Sequence, residues 1–146
     1  MSARPLLAGA ALAAAFALPL SGATITIVNM DNPGVGFNDA TPRSPVGGNP
    51  GTTLGEQRLN VVKYAAAFWG EKVQSPVEIR VEAQWKAMNC SASGATLASA
   101  GPMYVYSDFE GAPRANTWYP IGLASKLAGE DLEPGENDIE ANFNIA

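Results

Sequence analysis

Polar and apolar residues alternate along three short stretches of the chain, and a fourth, longer stretch repeats its apolar residues at spacings of three and four. The first alternation is "TITIVNM", residues 24–30, where Ile25 and Ile27 share one face of a half-buried strand and threonines take the other. The second, "VEIRVEAQW" at 77–85, sends Val77, Ile79, Val81, Ala83 and Trp85 to one side and Glu78, Arg80, Glu82 and Gln84 to water. The third, "DIEANFN" at 138–144, alternates Ile139, Ala141 and Phe143. Between the first two lies "LGEQRLNVVKYAAAFWGEKV", residues 54–73. Its Leu54, Arg58, Val61, Val62, Ala65, Phe68, Trp69 and Val73 predict a helix with one broad buried face, the apolar stem of Arg58 lying alongside. Strand, helix and strand in succession predict a right-handed βαβ unit, and the fold class is α+β: a small mixed sheet with a long helix packed on it.

The connections differ in kind. "DNPGVGFNDATPRSPVGGNPG" carries glycine, proline, asparagine or aspartate at most positions and predicts a long irregular loop. Residues 86–101 also read as loop, 102–109 ("PMYVYSDF") as a further strand, and "EGAPRA" as a turn. A second helix is signalled over 116–129, with Asn116 or Thr117 as cap, Pro120 in the first turn, Gly129 at the exit, and Ile121, Ala124 and Leu127 as a narrow buried stripe.

The glycine-rich run "PVGGNPGTTLGEQRLN", residues 45–60, invites a phosphate-loop reading. Such a loop is a short strand-to-helix turn closed by a Lys-Ser or Lys-Thr pair, so that backbone amides and an ammonium surround the anion. Here there is no lysine, and about twenty residues separate its Thr52-Thr53 pair from the preceding strand. Thr53 and Glu56 instead form a capping box, each side chain serving the other's backbone amide.

Composition narrows the function. Arg4 precedes the apolar run "PLLAGAALAAAFALPL", which ends in "SGA", with small Ser21 and Ala23 where a leader peptidase reads. The run is too short for a stable span, so residues 1–23 read as a cleavable secretory signal and 24–146 as the mature part, a single domain at most. A secreted or periplasmic product, with no membrane contact after cleavage, is the expectation. The mature part holds eight basic against fourteen acidic residues, net −6, which argues against nucleic acid as a partner.

The chain has no histidine and one cysteine. Imidazole triads and zinc sites built on histidine or paired cysteines are therefore excluded within it. Cys90 has no partner in the chain, so it is either a buried free thiol or half of a disulfide to another segment. Asn89-Cys90-Ser91 has the form of a glycosylation acceptor, a short motif with little weight by itself. Asp131, Glu133 and Asp138 lie in the densest acidic stretch, with Glu136 and Glu140, around a Pro-Gly turn. Oxygen ligands at alternate positions there could hold calcium, although the glycine falls one place short of the helix-loop-helix calcium pattern.

The order "GFNDATPRSPVGGNPGTTLGEQRLNVVKYAAAFWGEKVQSPVEIRVEAQW", one cysteine, "NTWYPIGLASKLAGEDL", then "DIEANFN" resembles the N-terminal part of secreted bacterial zinc metallopeptidase-like proteins that carry a protease-associated domain. The resemblance implies a zincin-like upper subdomain, incomplete at its C-terminal side. In that family a His-Glu-x-x-His helix follows the strand matching 138–144, and this chain carries none of its zinc ligands. What the resemblance carries over is the strand Asp138, Ile139, Glu140, Ala141, Asn142, Phe143 and Asn144 as the edge along which an extended peptide substrate lies. It also implies that Cys90 pairs with a cysteine of a missing C-terminal zinc-binding half. By itself the chain is expected to be inactive and to hold no cofactor, zinc belonging to a full-length relative. The competing expectation is a free-standing exported binding or adhesion module that uses the 31–52 loop and its aromatics as a recognition surface.

Overall fold

The structure, a computed structural model, describes residues 22–145; the leader predicted over 1–23 lies outside the described residues except for Gly22 and Ala23. In chain order the elements are β1 (Ile25–Asn29), a 3₁₀ turn (Gly36–Asn38), α1 (Leu54–Lys72), β2 (Ile79–Lys86), β3 (Cys90–Ser91), β4 (Gly94–Ala95), β5 (Ala98–Pro102), β6 (Val105–Tyr106), β7 (Tyr119–Pro120), α2 (Ile121–Ala128) and β8 (Ile139–Asn144). The main sheet has the order β1-β2-β8-β5. Its first three strands are parallel and β5 runs antiparallel to β8. The expected mixed sheet of an α+β fold is therefore present.

Register turns sequence alternation into two unlike faces. Ile27, Val81, Ile139 and Pro102 align as one row across the sheet, Ala83, Ala141 and Ala100 as the next, and Trp85, Phe143 and Ala98 as a third. The opposite face carries Glu82, Glu140, Gln84, Asn142, Lys86 and Asn144. There Gln84 donates to Asn142 Oδ1 at 3.0 Å, Asn137 donates to Glu82 at 2.9 Å, and Lys86 pairs with Glu140 at 3.4 Å. A face so hydrogen-bonded needs no second apolar layer, and α1 packs against β1 and the 3₁₀ turn.

α1 begins as its sequence dictates. Thr53 Oγ1 accepts from the Glu56 amide, and the Glu56 carboxylate accepts from the amides of Thr52 and Thr53 and from the Thr52 hydroxyl. Those bonds, led by the Thr52 amide, hold the Glu56 carboxyl below its ordinary value.

The helix is rotated from the expected orientation. Gly55, Ala66 and Gly70 are its buried residues, whereas Val61 is 61%, Phe68 47% and Trp69 58% exposed. The cause is close approach of main chains. A Cβ on Gly55 would collide with the Phe37 carbonyl, and one on Gly70 would come 2.6 Å from the Ala23 carbonyl oxygen. Small residues let α1 lie near the backbone of β1 and the 3₁₀ turn, and that contact outweighs burying the aromatic face.

Three further expectations are corrected. Residues 86–101 are not all loop, since β3 and β4 pair as a small hairpin and β5 joins the main sheet. The strand expected over 102–109 shrinks to Val105–Tyr106, paired with Tyr119–Pro120 outside the main sheet. α2 starts at Ile121 with Pro120 in the cap position and no side-chain cap, because Asn116 sits at a φ of 52° in the preceding turn. Gly129 closes the helix in the left-handed conformation, as expected.

Candidate functional site

The strongest site-like feature is an uncovered apolar corner. Arg58 reaches from the flank of α1 to place its guanidinium 4.2 Å from the centre of the Trp85 ring. Trp85 in turn stacks on Phe143 at 5.3 Å, and Phe37 of the 3₁₀ turn closes on both rings edge-on at 6.2 and 6.1 Å. This cluster seals one end of the sheet's apolar face. Farther along α1, on the flank that Arg58 marks, Ala65 and Trp69 are exposed, as are Ala98, Ala100 and Pro102 of β5. Val61, Tyr64 and Phe68 extend the same exposed arc around the helix.

Asp31, which reads in the sequence as no more than a turn residue, locks the cluster in place. Its carboxylate accepts from the Trp85 amide and from the Phe37 amide, both at 2.7 Å. The loop is likewise pinned to α1. Asn49 donates to the Gln57 carbonyl at 2.8 Å, and Gln57 donates to the carbonyls of Ser44 and Gly51. An Asp-Asn-Pro-Gly string gives no hint that its acid reaches fifty-four residues along the chain.

The strand expected to receive a substrate is not an edge. Ile139 to Asn144 is hydrogen-bonded to β2 on one side and β5 on the other, so Ile139, Glu140, Ala141, Asn142, Phe143 and Asn144 have no free ladder. Asp138, just before the strand, is spent as well. Its carboxylate accepts from the Arg80 amide at 2.7 Å, its own amide donates to the Arg80 carbonyl, and its carbonyl accepts from Met103. Among the described residues the edge strands of the main sheet are β1 and β5. The reason is that β5, a run of small residues without a hydrophobic signature, takes the outer place beside β8.

Asp138 is buried beside α2, and burial pushes its carboxyl above the ordinary value although the Arg80 amide pulls it down. The acids expected to gather around calcium are not assembled. Asp131 accepts from the Glu133 amide at 3.0 Å, Glu133 takes the Tyr106 hydroxyl, and Asp138 faces Arg80. Among the described residues no group of three histidine, cysteine or acidic side chains is placed to hold a metal ion. Cys90 is exposed on the β3–β4 hairpin and is not the buried thiol of the first alternative. No helix among the described residues is long and apolar enough to cross a membrane.

Comparison with protein-family models, with curated proteins and with solved structures finds no match to the chain.

Proposed function

We propose that this chain is the N-terminal, non-catalytic portion of a secreted zinc-metallopeptidase-like protein, with a zincin-like upper-subdomain fold. A second portion of the same protein would supply the zinc ligands. The observation that carries the reading is the half-covered apolar face: α1 lies over β1, while among the described residues Ala98, Ala100 and Pro102 of β5, on the same face as Phe143, are exposed, as are Ala65 and Trp69 of α1. A helix of the catalytic portion would cover that corner. Exposed Cys90 suits a disulfide to that portion, and an extended peptide would add along the free ladder of β5.

The expected behaviour is that the purified chain cleaves no protein substrate and binds no stoichiometric zinc. Addition of a zinc-binding portion carrying a His-Glu-x-x-His helix should restore chelator-sensitive hydrolysis. Chelator-sensitive hydrolysis by the chain alone would refute the reading. The competing module that recognises partners through the 31–52 loop has less support, because the loop's one aromatic residue, Phe37, is 5% exposed and faces the cluster.

A further inference from the structure

Resting on the reading of residues 1–23 as a cleavable leader, we propose that folding of the body and removal of the leader compete for one dipeptide, Gly22-Ala23. The leader is then cut only from chains whose sheet has not formed. The sequence marks the bond after Ala23 for a peptidase that reads small residues at Ala23 and Ser21. Cleavage adds one water across the Ala23–Thr24 amide, leaving a carboxylate on Ala23 and an amine on Thr24. To do so the peptidase must hold this stretch extended, with its backbone groups free to pair with the enzyme.

In the folded chain those groups are taken on both sides of the bond. The Ala23 amide donates to the Val73 carbonyl at 2.7 Å, and the Thr24 carbonyl accepts from the Ile79 amide at 2.9 Å. Gly22 bridges to Gln74 just beyond the end of α1. The fit is close enough that a Cβ on Gly22 would come 2.5 Å from the Gly70 carbonyl oxygen, and one on Gly70 would come 2.6 Å from the Ala23 carbonyl oxygen. Ala23 itself is 8% exposed. β1 begins at Ile25, so the chain has no slack in which to lift the bond away without breaking the pairing of β1 with β2. The fold thus treats as its own first residues the dipeptide that the peptidase must remove.

The test uses the full 146-residue chain. Unfolded in urea, it is diluted into buffer containing a leader peptidase in detergent, either at once or after refolding followed by circular dichroism, and the products are read by intact mass. Cleavage after Ala23 should be about a hundredfold slower for the refolded chain, since the bond is reached only through opening of β1. A Gly70→Val chain, whose side chain fills the notch that Ala23 occupies, should keep its helical spectrum yet be cut after refolding nearly as fast as when unfolded. If that variant does not refold, the timed comparison of the natural chain decides alone. Equal rates before and after refolding would overturn the proposal. Absence of any cut in either state, or a cut at another bond, would remove the leader reading itself and the proposal with it.

Discussion

Single residues decide how closely this molecule packs, and Gly55 is the sharpest case. Alanine there should gain about 1 kcal/mol of helix propensity. The added Cβ meets the Phe37 carbonyl and the Asp39 amide, main-chain atoms that have no rotamer to change. Overpacking of that kind costs about 1–3 kcal/mol, which matches the gain at its lower end and exceeds it above that, so Gly55→Ala is expected to lower the urea midpoint, and a raised midpoint would refute the close-approach account. Asp138 makes a second prediction, through pH. Because burial raises its carboxyl, the folded state holds the proton more tightly than the unfolded chain. Its contribution is therefore full below the ordinary aspartate value and is lost as pH climbs toward the raised one. In Asp138→Asn the side-chain carbonyl oxygen would still accept from the Arg80 amide, without a charge to bury. That variant should be at least as stable as the natural chain at pH 7, and the gap between them should close on acidification; measuring both urea midpoints at pH 3 and pH 7 checks the sign.

Elements differ in how far their sequences reveal them. α1 is legible at its start because the capping box is a local pattern, and Thr53→Ala should cost about 1 kcal/mol, read as a fall in thermal midpoint with m-value unchanged. The strands β1, β2 and β8 are legible because alternation of isoleucine, valine and phenylalanine with polar residues is strong. β5 is not. Ala98, Ala100 and Pro102 alternate with Ser99 and Gly101, a pattern of almost no amplitude, and its strand state is imposed by the ladder to β8. That hidden strand is why the edge implied by the resemblance lies one strand too far in. The rotation of α1 is illegible for a related reason. Periodicity weighs large apolar side chains, whereas this interface is made by Gly55, Ala66 and Gly70, whose value lies in what they lack. The corner of the candidate site is legible only in part. Trp85 and Phe143 announce themselves, but Asp31, which fixes them, acts across a distance no local pattern spans.

At the scale of the whole molecule, the core is small for the apolar surface the chain carries. Among the described residues the buried apolar side chains are Ala23, Phe37, Ala66, Ala83, Ile121 and Ala124, most of them alanine. The exposed arc of Val61, Tyr64, Phe68 and Trp69 outweighs that set in side-chain bulk. Contiguous exposed patches of that kind mark contact surfaces, and without a contact they drive association. If the arc is a surface and not a misplaced core, polar substitutions there should leave the fold intact while abolishing stickiness. A Val61→Lys, Phe68→Lys, Trp69→Gln chain is therefore expected to keep its helical spectrum and to unfold within about 1 kcal/mol of the natural chain, as exposed positions do. Over the same comparison its dye binding and its sedimentation as higher species should fall. Loss of more than about 3 kcal/mol would place these side chains in a core of this chain alone, since only large buried groups carry costs of that size. The corner would then need no second portion to cover it, and the functional reading would lose the observation on which it stands.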